Sequence, residues 1–208
     1  MTRTLVIVGA GGHGKVVADI ALQSKKYKEI VFLDDSVDNG VVLRAGNVVG
    51  KFADWKCWHN DNTEFFVAIG PNIIRQRMMN ELLAGKAKLA TLIHQSAIVA
   101  NCVTIGEGSL VVAGTVINAE TKIGKGCIIN TSSHVDHDCV IHDYVHIAPG
   151  SSLAGTINVG ELSFIGIGSS VTPGINIGCN VTVGAGAIVI SNVENDLTVV
   201  GCPAKILR

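Results

Sequence analysis

From Val99 onward an aliphatic residue returns at every sixth position without a break: Val99, Ile105, Val111, Ile117, Ile123, Ile129, Val135, Ile141, Ile147, Leu153, Val159, Ile165, Val171, Ile177, Val183 and Val189. An α-helix repeats every 3.6 residues and a strand every 2, so neither sustains this spacing. A period of six marks a parallel β-helix, in which each hexapeptide makes a short flat strand and a turn. Three such sides close a triangular coil of roughly 18 residues. The aliphatic residue then points inward. The position two before it is mostly small or β-branched, as at Val103, Ser109, Thr115, Thr121 and Cys127. Glycine often follows the aliphatic residue, as in Ile105-Gly106, Ile123-Gly124 and Val159-Gly160, and is expected there to relieve strained turn angles.

Composition agrees with stacked sheet. Hydrophobic residues make up 48% of the 208, yet aromatics are only 4% and there are 24 glycines. Such a core is built from aliphatic side chains and backbone. Sixteen Lys and Arg stand against 17 Asp and Glu, so no global field draws in nucleic acid or an acidic membrane. The six cysteines contain no C-x-x-C pair and read as small apolar fillers in a reducing compartment. The apolar run after Arg3 is too short for a signal peptide, and no segment approaches the roughly 20 apolar residues of a membrane span. The expectation is a cytoplasmic protein with neither nucleic acid nor membrane as partner.

The first ninety residues follow other rules. Runs at 4–8, 30–33 and 65–69 read as buried strands, and residues 36–64 as loop with one short strand. Lys15 to Gln23 is expected to be a helix presenting Val16, Val17, Ile20 and Ala21 on one face. A second helix, capped by Asn72, carries Ile74, Met78 and Leu82. The division expected is a small Rossmann-like α/β domain over 1–90 and a β-helix over 91–208. Gly9-Ala10-Gly11-Gly12-His13-Gly14 fits G-x-G-x-x-G, a turn that lets backbone approach a pyrophosphate at a helix N-terminus. Asp34 follows Gly14 by twenty residues, where a dinucleotide enzyme keeps its ribose-binding acid. NAD and a nucleotide sugar both satisfy that turn; the missing second mononucleotide half and the attached β-helix weigh against NAD.

Hexapeptide stretches of this kind resemble the left-handed β-helix acyltransferases, which bind acyl-CoA and assemble as trimers. "GAGGHGKVVAD", "FLDD", "FFVAIG" with "IRQR", and "NTSSHVDHDCVIHDYVHIAPGSSLAG" together resemble bacterial nucleotide-sugar N-acetyltransferases of the bacillosamine type. The resemblance implies acetyl transfer from acetyl-CoA to the 4-amino group of a nucleotide-linked 4-amino-4,6-dideoxy sugar, with UDP first among the nucleotides. It implies His137 as general base with Asp138 as its carboxylate partner. Acetyl-CoA would meet His146, Gly155 (through its N–H), Ile167, Ala185 and Lys205. His13, Gly14 and Lys15 would face the substrate's phosphates or sugar, Asp34 and Asp35 the nucleoside, and Gly70 would close the pocket. A homotrimer with intersubunit active sites follows. The alternatives are O-acetylation of sialic acid and a non-catalytic nucleotide sensor. His137 and His142 are spaced like the zinc pair of β-helix carbonic anhydrases, but the third ligand position holds Asn101; no metal is expected.

Overall fold

The computed structural model describes residues 3–207, and their contacts divide the chain into two compact units at residues 95 and 96. The first runs β1 (Arg3–Val8), α1 (Gly12–Ser24), β2 (Tyr27–Leu33), β3 (Val42–Leu43), β4 (Gly46–Gly50), α2 (Trp55–Trp58), β5 (Thr63–Val67), α3 (Asn72–Ala84) and β6 (Lys88–Leu89). Its sheet has the order β3-β4-β2-β1-β5-β6. Neighbours are parallel except in the β3–β4 hairpin. Leu5 to Val8 are buried at the centre of the sheet, which is why they read as a continuous apolar run rather than an alternating one. The chain crosses from β1 through α1 to β2 on one side and later places β5 on the other. Strand order therefore reverses at β1, and a crevice opens beyond the carboxyl ends of β1 and β5.

Two expected helix faces need correction. On α1 the buried residues are Gly14, Val17, Ala18, Ile20 and Ala21, while Val16 is exposed. On α3 the N-cap is Pro71, not Asn72, and the buried face is Arg75, Met79 and Leu82. The cause is Arg75: a fully buried guanidinium occupies the inner face and turns Ile74 outward. Within 36–64, expected to be mostly loop, lie the β3–β4 hairpin and α2, anchored by buried Trp55.

The second unit is the β-helix. From 98–99 to 170–171 each two-residue strand pairs in parallel with the one 18 positions on, as in Ile117 with Val135 and Val135 with Leu153; at the end of the stack 182–183 pairs with 198–199, 16 positions on. Three faces result. The first stacks strands at 98–99, 116–117, 134–135, 152–153, 170–171 and 188–189; the second those at 104–105 to 176–177; the third those at 110–111 to 182–183. The sixth-position residues from Val111 to Val189 are buried, and so are Ser109, Thr115, Thr121, Ser133, Ser151, Ser163 and Ser169 between them. Those hydroxyls are satisfied by corner carbonyls, as Ser151 Oγ donates to Gly166 O at 2.7 Å and Thr121 Oγ1 to Asp136 O at 2.6 Å.

Glycine does a different job here from the one expected. A positive φ, between 52° and 74°, recurs every six residues from Gly108 to Gly186, three positions past the aliphatic residue. Seven of these sites hold a side chain (Glu120, Ser132, Asp138, Tyr144, Thr156, Leu162 and Asn180). The glycine directly after the aliphatic residue is needed for close approach instead: a Cβ on Gly106 would lie 2.5 Å from Gly124 C, and one on Gly160 2.5 Å from Cys179 N. Coils 4.8 Å apart leave no room for it.

The same register sorts the cysteines. Cys127 and Cys139 take the inward position and are buried, whereas Cys57, Cys102, Cys179 and Cys202 are exposed. The filler reading thus holds for two of the six. Among the described residues no helix is long and apolar enough to cross a membrane.

Candidate functional site

The crevice beyond β1 and β5 has a volume of about 210 Å3 and is lined by Gly9, Asp34, Asp35, Phe52, Ile69 and Met78. The glycines of the turn divide the work. Gly9 adopts φ +107°, and a Cβ on Gly14 would collide with Gly9 O, so α1 reaches β1 only because residue 14 has no side chain. Gly11 and Gly12 face open space, leaving the first N–H groups of α1 accessible.

Asp34 shapes the crevice wall. Its Oδ2 accepts from Ala10 N at 2.7 Å and its Oδ1 from Ser36 N at 2.8 Å and Val37 N at 3.0 Å. Partial burial raises its pKa, but these backbone donors outweigh it and hold the carboxyl below its ordinary value. Asp35 Oδ1 accepts from Phe52 N at 2.9 Å. Both acids stand at the crevice, with the loops tied to them.

His13 is half-buried and its Nε2 has no hydrogen-bond partner among the described residues. Burial first, and the Arg75 charge second, push its pKa down to about 4, so the ring is neutral at pH 7. Arg75 donates to Ile69 O at 3.1 Å, Gly70 O at 2.8 Å and Asn72 Oδ1 at 2.8 Å. It thereby fixes the β5–α3 loop in which Gly70 lies. Lys15 is exposed and lines a second pocket with Phe32, Leu43 and Arg44. Arg75 escaped the sequence reading because nothing in "IRQR" marks which arginine turns inward.

In the β-helix the corner after the first face carries Asp136, His137 and Asp138. Asp138 takes the left-handed place, φ 58°, which folds its carboxylate back over the preceding ring: His137 Nδ1 lies 2.7 Å from Asp138 Oδ2. An ionised carboxylate only accepts, so Nδ1 carries the hydrogen and Nε2 is left as the basic nitrogen. The Asp138 hydrogen bond first, then the Asp136 charge, raise the His137 pKa above its ordinary value. One coil on, Gly155 lies under the ring, where a Cβ would stand 2.5 Å from Cε1 and 2.6 Å from Nε2. Gly155 N–H has no acceptor among the described residues.

The structure does not put every cofactor candidate at this corner. Ile167 and Ala185 stack 18 residues apart on the corner before the first face, with Gly186 N donating to Ile167 O at 2.8 Å. Both are exposed, and neither N–H meets an acceptor among the described residues. His146 lies on the third face, its Nε2 3.1 Å from Asn130 Nδ2 and its ring edge-on to Phe164 at 5.1 Å. Lys205 is exposed on a short strand antiparallel to Thr198–Val200. Between the two corners, a groove of about 510 Å3 along the first face is lined by Asn118, His134, Asp136, Ser152 and Thr172. Among the described residues no group of His, Cys, Asp or Glu is arranged to hold a metal ion; His142 Nε2 is instead 3.0 Å from Asn158 Oδ1.

The stacked coils are those of a hexapeptide-repeat transferase: residues 120–155 match the bacterial transferase hexapeptide repeat. Residues 4–82 match the PglD N-terminal domain. Over 97% of this chain and 95% of its own length, GDP-perosamine N-acetyltransferase of Escherichia coli is 31% identical. The acetyltransferase domain of PglB from Neisseria gonorrhoeae in complex with acetyl coenzyme A superposes with a TM-score of 0.96 at 39% identity, covering 100% of both chains. PerB of Caulobacter crescentus, in complex with CoA and GDP-perosamine, gives a TM-score of 0.93 at 37% identity, with 100% of this chain and 99% of that one covered. The chain belongs to the PglD-type nucleotide-sugar N-acetyltransferases.

Proposed function

We propose that this enzyme transfers the acetyl group of acetyl-CoA to the 4-amino group of a nucleoside-diphosphate-linked 4-amino-4,6-dideoxy sugar, with His137 as general base. The carrying observation is the ring of His137, oriented by Asp138 at 2.7 Å and lying against Gly155, whose N–H has no acceptor among the described residues. The amine nitrogen attacks the thioester carbonyl carbon while Nε2 takes its proton. The C–N bond forms, the C–S bond breaks, and CoA leaves as a thiolate that is then protonated. Gly155 N–H supports the charge that develops on the carbonyl oxygen.

The nucleotide sugar belongs in the crevice at Gly9, with neutral His13 as a hydrogen-bonding group toward its phosphates and Asp34 and Asp35 toward its nucleoside. Gly14 holds α1 close enough for this, and Gly70 forms the opposite rim; Lys15, on the neighbouring pocket, meets an outlying phosphate or sugar oxygen. Acetyl-CoA takes the free N–H groups of Ile167 and Ala185, the His146 ring, and Lys205 for its phosphates. The Ile167 and Ala185 corner and the His137 corner lie at opposite ends of one face, separated by six residues that span at most about 20 Å. That separation supports a homotrimer in which one subunit supplies the base and its neighbour the coenzyme corner. UDP is the nucleotide that the family resemblance puts first; GDP is the nucleotide carried by the perosamine of the Escherichia coli enzyme's name and of the PerB complex.

The test is a thiol-release assay with acetyl-CoA and UDP-, dTDP- and GDP-linked 4-amino-4,6-dideoxy sugars, with sialic acid alongside. We expect turnover with one amino sugar and a fall of about 10²–10⁴-fold in His137→Ala. Undiminished transfer in His137→Ala overturns the base assignment, and activity on sialic acid alone overturns the reaction class.

A further inference from the structure

We infer that the first face of the β-helix is the surface on which three copies of this chain meet, and that His134, in the middle of that face, opens the assembly on acidification. This rests on the reading of the enzyme as a homotrimer with intersubunit sites. From 116–117 on, the second residue of each strand in this face is buried and the first points outward. The outward residues form one column, Ile98, Val116, His134, Ser152, Ser170 and Ile188, with no Asp, Glu, Lys or Arg among them. Its two ends are apolar and open to solvent, Ile98 at 67% and Ile188 at 36% exposure. The corner that leads into the face also lacks charge in every coil, from 112–114 to 184–186. The corner farthest from it, between the second and third faces, carries Glu107, Lys125, Asp143 and Glu161. Depletion of charge is what separates the core of an interface from solvated surface, and the 510 Å3 groove runs along the uncharged side.

Symmetry fixes which residues meet. The base corner and the coenzyme corner are the two edges of this face. When each copy sets its base corner against its neighbour's coenzyme corner, three copies close a ring and the first face of each turns toward the three-fold axis. Equivalent residues then lie at one height, so the three His134 rings face one another in an interior with little water. Each ring is held on one side: Nδ1 lies 3.3 Å from Ser152 Oγ, one coil on, and Nε2 has no partner among the described residues. Little stands nearby to neutralise three imidazolium charges. The coils before and after present Val116 and Ser152, and the leading corner beside His134 is Thr131, Ser132 and Ser133. The acids lie on the far corner with His137. There Asp136 Oδ1 is taken by Asn118 Nδ2 and the His137 N–H, both at 2.8 Å, Asp138 is bonded to His137 Nδ1, and Glu120 stands one coil earlier. Histidine changes charge between pH 5 and 8, and like charges brought together out of water favour the neutral form. The trimer is therefore favoured above the ordinary histidine range and is lost as the pH falls through it.

The experiment is sedimentation velocity of the full chain in EDTA at pH 8 and pH 5.5, with far-UV circular dichroism to follow folding. Wild type is expected to be a trimer at pH 8 and to dissociate into folded subunits at pH 5.5. Its association constant should fall about 10³-fold, about tenfold for each of three protons over one pH unit. His134→Gln should stay trimeric at both values. His134→Lys sets a fixed charge in the ring and should give folded monomers at pH 8, as should Ser170→Lys two coils on. Asn176→Lys, on the second face, should remain a trimer. A wild-type trimer that persists at pH 5.5, or a His134→Gln trimer that dissociates there as the wild type does, overturns the inference and leaves the homotrimer standing. Trimers in both His134→Lys and Ser170→Lys place the contact on another surface and likewise overturn it. A monomeric wild type at pH 8 overturns the homotrimer reading and this inference together.

Discussion

Replacing Gly155 by alanine inserts one methyl group under the ring of His137. The new Cβ would stand 2.5 Å from Cε1 and 2.6 Å from Nε2, whereas carbon atoms rest about 3.5–4.0 Å apart. The ring therefore retreats by about 1 Å. Coil–coil hydrogen bonds hold the backbone on either side, with Thr156 N donating to His137 O at 2.9 Å and Gly174 N to Gly155 O at 3.0 Å, so the ring swings instead of the chain. Residue 155 is not in the left-handed region, and alanine is accepted there without backbone strain. Its N–H also survives. A displacement of about 1 Å at a reacting group costs about 100-fold in rate, or about 2.7 kcal/mol of barrier. Folding stability should change by less than about 0.5 kcal/mol, because the displaced ring is already half in solvent. Thiol-release kinetics give kcat and thermal unfolding gives Tm. A kcat within twofold of wild type would refute the idea that the ring works from its station above Gly155. A large fall in Tm would instead make Gly155 a folding residue.

His13 and Asp34 give two further predictions in the first unit. The His13 pKa falls from an ordinary 6.5 to about 4 in the folded chain, so the fold prefers the neutral ring. Its contribution is complete above pH 6.5 and is lost as the pH falls through that window toward 4, to an extent of about 3 kcal/mol. Urea midpoints from pH 7 to 4 should drop more steeply for wild type than for His13→Gln; parallel curves would show that the ring carries no such penalty. Asp34→Ala leaves the N–H groups of Ala10, Ser36 and Val37 without their acceptor and should cost about 2 kcal/mol. The KM for the nucleotide sugar should rise with it, and a loss below about 0.5 kcal/mol would mean that water replaces the carboxylate.

The hexapeptide period determined the β-helix because it is a local property: each side of a coil needs one inward aliphatic residue, and the sequence supplies it sixteen times. The same pattern placed His137 two residues past Val135 and so on a corner. The glycine turn and the strand runs likewise determined the crevice at β1, since Gly9 and Gly14 meet backbone constraints that no other residue meets. The helix faces went wrong where a charged residue was buried. Apolar spacing on α3 points to Ile74, but the carbonyls of Ile69 and Gly70 and the Asn72 side-chain oxygen draw Arg75 inside, and hydrophobic patterning is blind to polar groups that satisfy one another.

Tertiary structure alone decided what the corners do. Asn118 meets Asp136, and Gly155 underlies His137, because stacking brings residues about one coil apart into contact; each corner residue looks unremarkable along the chain. The left-handed φ at Asp138 folds its carboxylate onto the ring before it, a geometry set by the coil's closure and not by the Asp residue itself. The sequence therefore determined which scaffold forms and which side chains reach its surface. Which of them meet was decided by the stacking of coils, since contact across that distance depends on register and backbone conformation rather than on residue type.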